Sequence, residues 1–219
     1  MERNHDLTYR VEKYAKKIGI DIIGFASPEL FTRYLKKHRP DTYLKEAKTV
    51  IIIGLHLYDI TLDAWNNYPS NKKSFQFADS ILARFCYKIA NFLLENNYNS
   101  VVVSYAPGLY LKDASVLAGI GPIGKNNLLI TPQYGPQVRL RAIVTAAPLI
   151  CGNPVTENEY CENCDMCIQS CPANALSNGE YQKEACYEYS TSNFKNLSKY
   201  TVIWCNECIE SCPVGKFSE

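Results

Sequence analysis

The sequence predicts a mixed α/β domain over residues 1–150, followed by a small domain over 151–219 organised around metal rather than around an apolar core. Two observations carry that prediction. Helix-spaced and strand-length apolar runs follow one another through the first 150 positions. Cysteine is concentrated at the other end: of ten in the chain, eight (Cys161, Cys164, Cys167, Cys171, Cys186, Cys205, Cys208 and Cys212) follow residue 160. The composition, 47% hydrophobic and 21% charged over 219 residues, excludes disorder, collagen and coiled coil. A formal charge of +1 gives no global basic field for nucleic acid.

The elements follow in order. Leu7, Val11, Tyr14 and Ile18 recur at helical spacing, with Gly19 as the C-cap. Ile20 to Phe25 reads as a strand, and Pro28 opens a second helix that ends before Pro40. Val50 to Leu57 is an apolar run of strand length, buried on both faces. From Phe75 to Leu94, the residues Phe77, Ile81, Phe85, Ile89 and Phe92 trace one helical face. Ser100–Ser104 reads as strand and Leu109–Leu117 as helix. Gln137–Val144 begins with alternation that suits a strand with one wet face. The turn-like Cys151-Gly152-Asn153-Pro154 marks the domain boundary. No repeat or low-complexity segment is evident. No apolar run reaches membrane-span length, and no signal-peptide core opens the chain, so a cytoplasmic protein away from membranes is expected.

In a reducing compartment the cysteines read as metal ligands. Cys161-x2-Cys164-x2-Cys167-x3-Cys171-Pro172 matches the bacterial ferredoxin run, in which three thiolates hold one 4Fe–4S cluster and the fourth reaches a second. Cys205-x2-Cys208-x3-Cys212-Pro213 lacks one member, for which Cys186 is the replacement. By the crossing rule one cluster takes Cys161, Cys164, Cys167 and Cys212, and the other Cys171, Cys186, Cys205 and Cys208. Structural zinc is the alternative, but it favours two separated knuckles closing one tetrahedron. Cys86 and Cys151 read as packed thiols.

Gly119-Ile120-Gly121-Pro122-Ile123-Gly124-Lys125-Asn126 matches the letters of a dinucleotide fingerprint. The preceding segment reads as helix, and no acidic residue lies between Asp113 and Glu157 to hold a ribose, so that reading fails. Asn126 stands where a P-loop needs Ser or Thr. What remains is either a structural turn or a loop whose backbone approaches a large cofactor. In the second case Gly119, Gly121 and Gly124 give access, and Lys125, Asn126 and Asn127 supply polar contacts.

Residues Ala118–Ile130, together with the two cysteine groups and the lone Cys186 between them, resemble the epoxyqueuosine reductases, relatives of the reductive dehalogenases. The likeness covers most of residues 100–217. It implies a nitroreductase-like α/β domain holding base-off cobalamin, beside a ferredoxin-like domain with two 4Fe–4S clusters. Electrons from a ferredoxin or flavodoxin would pass through the clusters to the corrinoid and on to a small-molecule substrate. Two departures stand out. The tRNA-modifying reductases carry a further C-terminal helical-repeat domain, whereas this chain stops at Glu219. They also carry an Asp-Ser-Ala-Pro-like stretch, whereas this chain reads Val103-Ser104-Tyr105-Ala106-Pro107, without a carboxylate. With the near-zero charge, these departures predict that tRNA is not the partner. Tyr105 becomes the candidate acid in place of the aspartate, with simple packing as its alternative. His5 and His38 read as exposed, and His56 as a core or pocket histidine. None sits in a cobalt-ligating arrangement. The expected function is a corrinoid iron–sulfur reductase. The alternatives are a cobamide-handling redox protein without its own substrate, or a flavin-containing electron-transfer protein.

Overall fold

Asn4 starts the first helix by accepting the Leu7 N–H at 2.9 Å through its side chain. In the computed structural model, which describes residues 2–66, 76–105 and 107–216, this helix (α1) runs His5–Lys17. Asp6 in the first turn and Lys16 and Lys17 in the last complement its dipole. The helix ends as Gly19 takes a φ of +89° and the Ile20 N–H bonds back to the Ala15 carbonyl. That cap absorbs Ile20, so the following strand, β1, starts later than expected, at Ile22–Ala26.

By internal packing the chain divides into two compact units. Unit 1 comprises residues 1–56, 81–121 and 139–156; unit 2 comprises 57–80, 122–138 and 157–219. Unit 1 carries a four-stranded sheet in the order β1-β2-β5-β4, with β2 at Thr49–His56, β4 at Ser100–Val102 and β5 at Val138–Thr145. β1 and β2 are antiparallel, with Gly24 opposite Ile52 and Ile22 opposite Gly54; β4 and β5 are also antiparallel. Thr49 through Leu55 are all buried, as a strand covered on both faces requires. β5 alternates only at its start, where Arg139 and Arg141 flank the buried Leu140, and is buried from Ala142 onward. Glycine at position 24 is a packing requirement: a Cβ there would meet the Ile120 side chain at 2.7 Å.

The second helix expected between Pro28 and Pro40 does not form as one element. Two 3₁₀ turns at Pro28–Phe31 and Lys36–His38 precede a single α-turn (α2) at Pro40–Tyr43. The segment lacks an apolar stripe: Leu30 and Leu35 are exposed, and only Phe31 and His38 are buried between the prolines. Arg39 instead braces the turn, its guanidinium donating to the Tyr34 and Thr32 carbonyls at 2.6 Å. His38, expected to be exposed, is buried, with Nδ1 2.8 Å from the Gly108 carbonyl.

The long helix α3 spans Phe77–Glu95; Phe75 lies outside the described residues. Its buried face is Ala78, Leu82, Cys86, Ile89 and Leu93, about one position round from the aromatic face expected. The rings flank this aliphatic face, Phe92 stacking on Tyr14 at 4.7 Å. Cys86 is fully buried, the inert packing expected of it. Helix α4, Leu111–Leu117, completes unit 1 and leads into the glycine loop.

Unit 2 holds a three-stranded antiparallel sheet in the order β3-β7-β6: Trp65–Asn66, Thr201–Ile203 and Lys195–Ser198. The unit also carries three short helices, α5 (Met166–Gln169), α6 (Lys183–Ser192) and α7 (Glu207–Glu210). No helix among the described residues is long and apolar enough to cross a membrane. Truncating Ile52 to alanine at the centre of the sheet is expected to cost about 2–5 kcal/mol. Leu94→Ala, on the exposed face of α3, should change stability by no more than about 0.5 kcal/mol. Urea unfolding of the two variants measures the contrast.

Candidate functional site

The eight late cysteines all fall within unit 2, and none forms a disulfide. Cys167 and Cys208 are held in α5 and α7, helices of a single turn each. The segments around them repeat. Asp-Met-Cys-Ile-Gln-Ser-Cys-Pro (165–172) and Asn-Glu-Cys-Ile-Glu-Ser-Cys-Pro (206–213) fold alike, correcting the expectation of no repeat. In each, the residue before the helix accepts the N–H three positions on, at 3.0 Å from Ile168 to Asp165 and 2.8 Å from Ile209 to Asn206. The second cysteine then donates to the isoleucine carbonyl, Cys171 to Ile168 at 3.3 Å and Cys212 to Ile209 at 3.2 Å. Ser170 and Ser211, 41 positions apart, join their hydroxyls at 2.8 Å and tie the two copies together. At the same offset Cys164 corresponds to Cys205, but Cys161 corresponds to Val202, which is buried in β7. The missing thiol of the second copy is thus replaced by a strand residue, and Cys186 stands on α6.

Cys161, Cys164, Cys167 and Cys212 border one cavity, together with Lys125, Asn126, Ile130, Tyr160, Pro213 and Val214. Burial raises the Cys167 thiol above its ordinary value, and the charges of Cys161, Cys212 and Cys164 raise it further. Cys212 is raised by burial and by Cys161 and Cys164, against the opposing Val214 N–H. The other four thiols are also neighbours. Burial pushes Cys208 up to about 12, with Cys205, Cys186 and Cys171 adding repulsion ahead of Cys167. Cys205 is raised first by burial, with smaller contributions from Glu207, Cys186 and Cys171. The Ala175 N–H donates to Cys171 Sγ at 3.3 Å. Backbone N–H groups of Glu207 and Val214 likewise serve Cys205 and Cys212.

This donor set fits iron–sulfur ligation: soft sulfur, four thiols around one cavity, and N–H···S bonds of the kind that stabilise anionic ligands. No group of three or more His, Cys, Asp or Glu among the described residues is close enough to hold a single metal ion.

The glycine loop divides between the units. Gly119 and Gly121 belong to unit 1, where Gly119 has a φ of +76° and packs against the Asn153 backbone as the turn after α4. A helix and not a strand precedes it, as the rejection of a dinucleotide site assumed. Gly124, Lys125, Asn126 and Asn127 belong to unit 2 and form a tight hairpin. Gly124 N–H donates to Leu128 O at 2.8 Å, and Asn127, at a φ of 57°, donates to Gly124 O at 2.9 Å. Asn126 is buried, accepting from Leu128 N–H at 3.1 Å and donating to the Cys208 carbonyl at 3.4 Å. Lys125 Nζ reaches Asp165 Oδ1 at 2.7 Å.

Tyr105 lies on the loop after β4 in unit 1, next to Ala106, which is outside the described residues. It is 49% exposed, so core packing does not account for it. Its hydroxyl donates to Leu140 O at 3.4 Å, and the Arg141 guanidinium lies 4.9 Å from its ring centre. An open cavity of about 450 Å³ elsewhere in unit 1 is lined in part by His5, Glu12, Phe25 and Cys151. Burial raises the Cys151 thiol there.

The sequence reading missed three features of unit 2. Asp165 was hidden between two ligands. Tyr181 hydrogen-bonds to Cys186 and is raised mainly by burial. Trp204 stacks on Trp65 at 5.4 Å and meets the edge of Tyr187 at 5.8 Å, and Tyr187 and Trp204 adjoin Cys186 and Cys205 in sequence. Aligning the two octapeptide copies would have exposed Asp165.

No family model matches the chain. The epoxyqueuosine reductase of Cyclobacterium marinum is 30% identical over 251 residues, covering 97% of this chain and 80% of that protein. The chain belongs to the epoxyqueuosine reductase family. The Bacillus anthracis reductase is 28% identical over 245 residues, and the match spans 93% of this chain but 63% of the reductase. Among solved structures, an epoxyqueuosine reductase crystal structure superposes with a TM-score of 0.76 at 23% identity, over 97% of this chain and 66% of that one. A reductive dehalogenase described with B12-dependent dehalogenation superposes at 0.70 and 17% identity, over 95% and 31%. The mixed α/β fold is therefore shared with both groups.

The expectation that tRNA is not a partner is corrected. An epoxyqueuosine reductase of the same fold (TM-score 0.74, 23% identity, 97% of this chain and 66% of that one) is solved with a tRNA-Tyr epoxyqueuosine-modified stem loop. Net charge is a sum over the chain, whereas an RNA footprint is local, so a value near zero does not exclude such a partner.

The raised thiols have a pH consequence. A folded thiol held at about 12, against an ordinary 9.0, keeps its proton where the unfolded one loses it. The metal-free fold therefore keeps this contribution below pH 9.0 and loses it as pH rises toward about 12. Alkaline melting curves are expected to show that loss, and Cys208→Ala to flatten it.

Proposed function

We propose that the chain is an iron–sulfur reductase holding two 4Fe–4S clusters, one on Cys161, Cys164, Cys167 and Cys212, the other on Cys171, Cys186, Cys205 and Cys208. In this reading unit 2, which contains residues 157–219, is the ferredoxin-like domain and unit 1 serves a base-off corrinoid. The supporting observation is the sorting of the eight thiols. Four border one cavity, Cys208 feels Cys205, Cys186 and Cys171 ahead of Cys167, and this division is the one the crossing rule predicts. The corrinoid rests on family membership alone.

Bound clusters would supply single electrons at low potential, and a corrinoid a strongly reducing centre. The chain's own residues do the rest. The thiolates bind iron, and the N–H groups of Ala175, Glu207 and Val214 share the sulfur charge. Ile130, Tyr160 and Val214 keep water from the first set. Tyr105 holds a proton on its phenol oxygen at the surface of unit 1.

The substrate follows the relatives: an epoxide on a modified nucleoside in tRNA. Deoxygenating an epoxide to an alkene takes two electrons and two protons and releases water, which suits a pair of one-electron carriers. A ferredoxin or flavodoxin of the cytoplasm would supply the electrons.

The test is anaerobic reconstitution of the full chain with iron and sulfide, iron analysis, and incubation with cobalamin, a low-potential reductant and an epoxyqueuosine-bearing stem loop. Two clusters' worth of iron and formation of the alkene nucleoside are the expected results. Zinc in place of iron would sink the proposal. Cys186→Ser is expected to lose about half the iron while leaving the first cluster's spectrum in place, since a ligand loss acts on its own cluster. Tyr105→Phe should slow turnover by about 10²-fold or more without changing iron content, if the phenol donates the proton.

A further inference from the structure

Lys125 stands where a cluster on the first thiol set would feel it. The hairpin that carries it is pinned: Gly124 bonds to Leu128, and buried Asn126 bonds to the Leu128 N–H and the Cys208 carbonyl. Its ammonium reaches Asp165, 2.7 Å away, a residue flanked in sequence by Cys164 and Cys167. Lys125 also lines the cavity of Cys161, Cys164, Cys167 and Cys212. With side chains 36% and 56% exposed, such a pair adds little to stability. Its opposite charges beside the thiols nevertheless act on any electron placed there. The hydrogen bond to Asp165 raises the Lys125 ammonium, with Cys161 and Cys164 adding to the effect, so it remains a cation at neutral pH.

Reducing a thiolate-bound cubane adds one electron and no proton, making an already anionic group more negative. A nearby cation favours that state and a nearby carboxylate opposes it. We propose that the Lys125–Asp165 ion pair sets the reduction potential of the cluster held by Cys161, Cys164, Cys167 and Cys212, acting on it more strongly than on the other cluster. This rests on the two-cluster reading. It makes both residues positioning residues for electron flow, since neither is a cluster ligand.

The two members of the pair act with opposite sign. Redox titration of the anaerobically reconstituted full chain with dithionite, followed by electron paramagnetic resonance, reads each cluster. Lys125→Met is expected to lower the midpoint of the first cluster by more than that of the second, and Asp165→Asn to raise it. Lys125→Arg should stay near the wild type, and the Lys125→Met shift should shrink as salt is raised, because the pair is half-exposed. A purely structural pair would move both variants the same way, or neither. Either result with iron retained overturns the proposal. Should Lys125→Met fail to hold iron, Asp165→Asn decides alone, a rise supporting the proposal and any other result refuting it. Loss of iron from both variants also refutes it. Absence of iron from the wild-type chain is a separate failure, that of the two-cluster reading.

Discussion

Eight thiols between Cys161 and Cys212 cannot all carry charge side by side without a cation to hold them. Burial and mutual repulsion raise Cys167, Cys205 and Cys212 above the ordinary thiol value and push Cys208 up to about 12. The same stretch has little else to fold around. Its buried apolar residues are few: Ala175, Leu176, Val202 and Ile203, joined by Cys167 and Cys212 themselves. When the interior is built partly of ligands, metal affinity and folding become one equilibrium. On the proposed reading, that coupling explains why so short a segment can tolerate so many polar connections.

The repeat of Cys-Ile-x-Ser-Cys-Pro explains the uneven cysteine count. Two copies of one turn, joined hydroxyl to hydroxyl through Ser170 and Ser211, would supply eight ligands if both were complete. The second copy spends its first position on β7, where Val202 is buried and paired with Trp65 and Asn196. A thiol at that point would have to sacrifice a core contact of the small sheet. Cys186, on a helix outside the sheet, avoids that conflict, and the β6–β7 hairpin carries the chain from it to Cys205.

Elements whose apolar pattern was continuous were legible in the sequence: α1, β2, α3 and the cysteine runs all lie close to where spacing put them. Boundaries moved where one residue served two masters, as Ile20 does in leaving the expected strand to cap α1. The 28–40 segment misled because proline spacing was read without asking for a buried stripe, and none exists there. His38 looked polar and exposed because its neighbours Lys36, Lys37 and Arg39 are charged; its burial depends on the distant Gly108 carbonyl, which no local pattern encodes. The assignment of 57–80 and 122–138 to unit 2 likewise depends on long-range pairing, as of Trp65 with Val202.

The glycine loop shows how far letters can run ahead of chemistry. Gly119 to Asn126 spells most of two nucleotide-binding fingerprints, yet its glycines do unrelated things. Gly119 ends a helix at positive φ. Gly124 makes room for Ile130, whose Cγ1 an added Cβ would meet at 2.7 Å. A phosphate loop needs consecutive N–H groups turned outward to an anion. Here the Gly124 and Asn127 N–H groups are turned inward to Leu128 and Gly124 carbonyls, and Asn126 spends its amide on the backbone. What the loop has left to offer is the cation of Lys125, which on the proposed reading would face iron-bound thiolates.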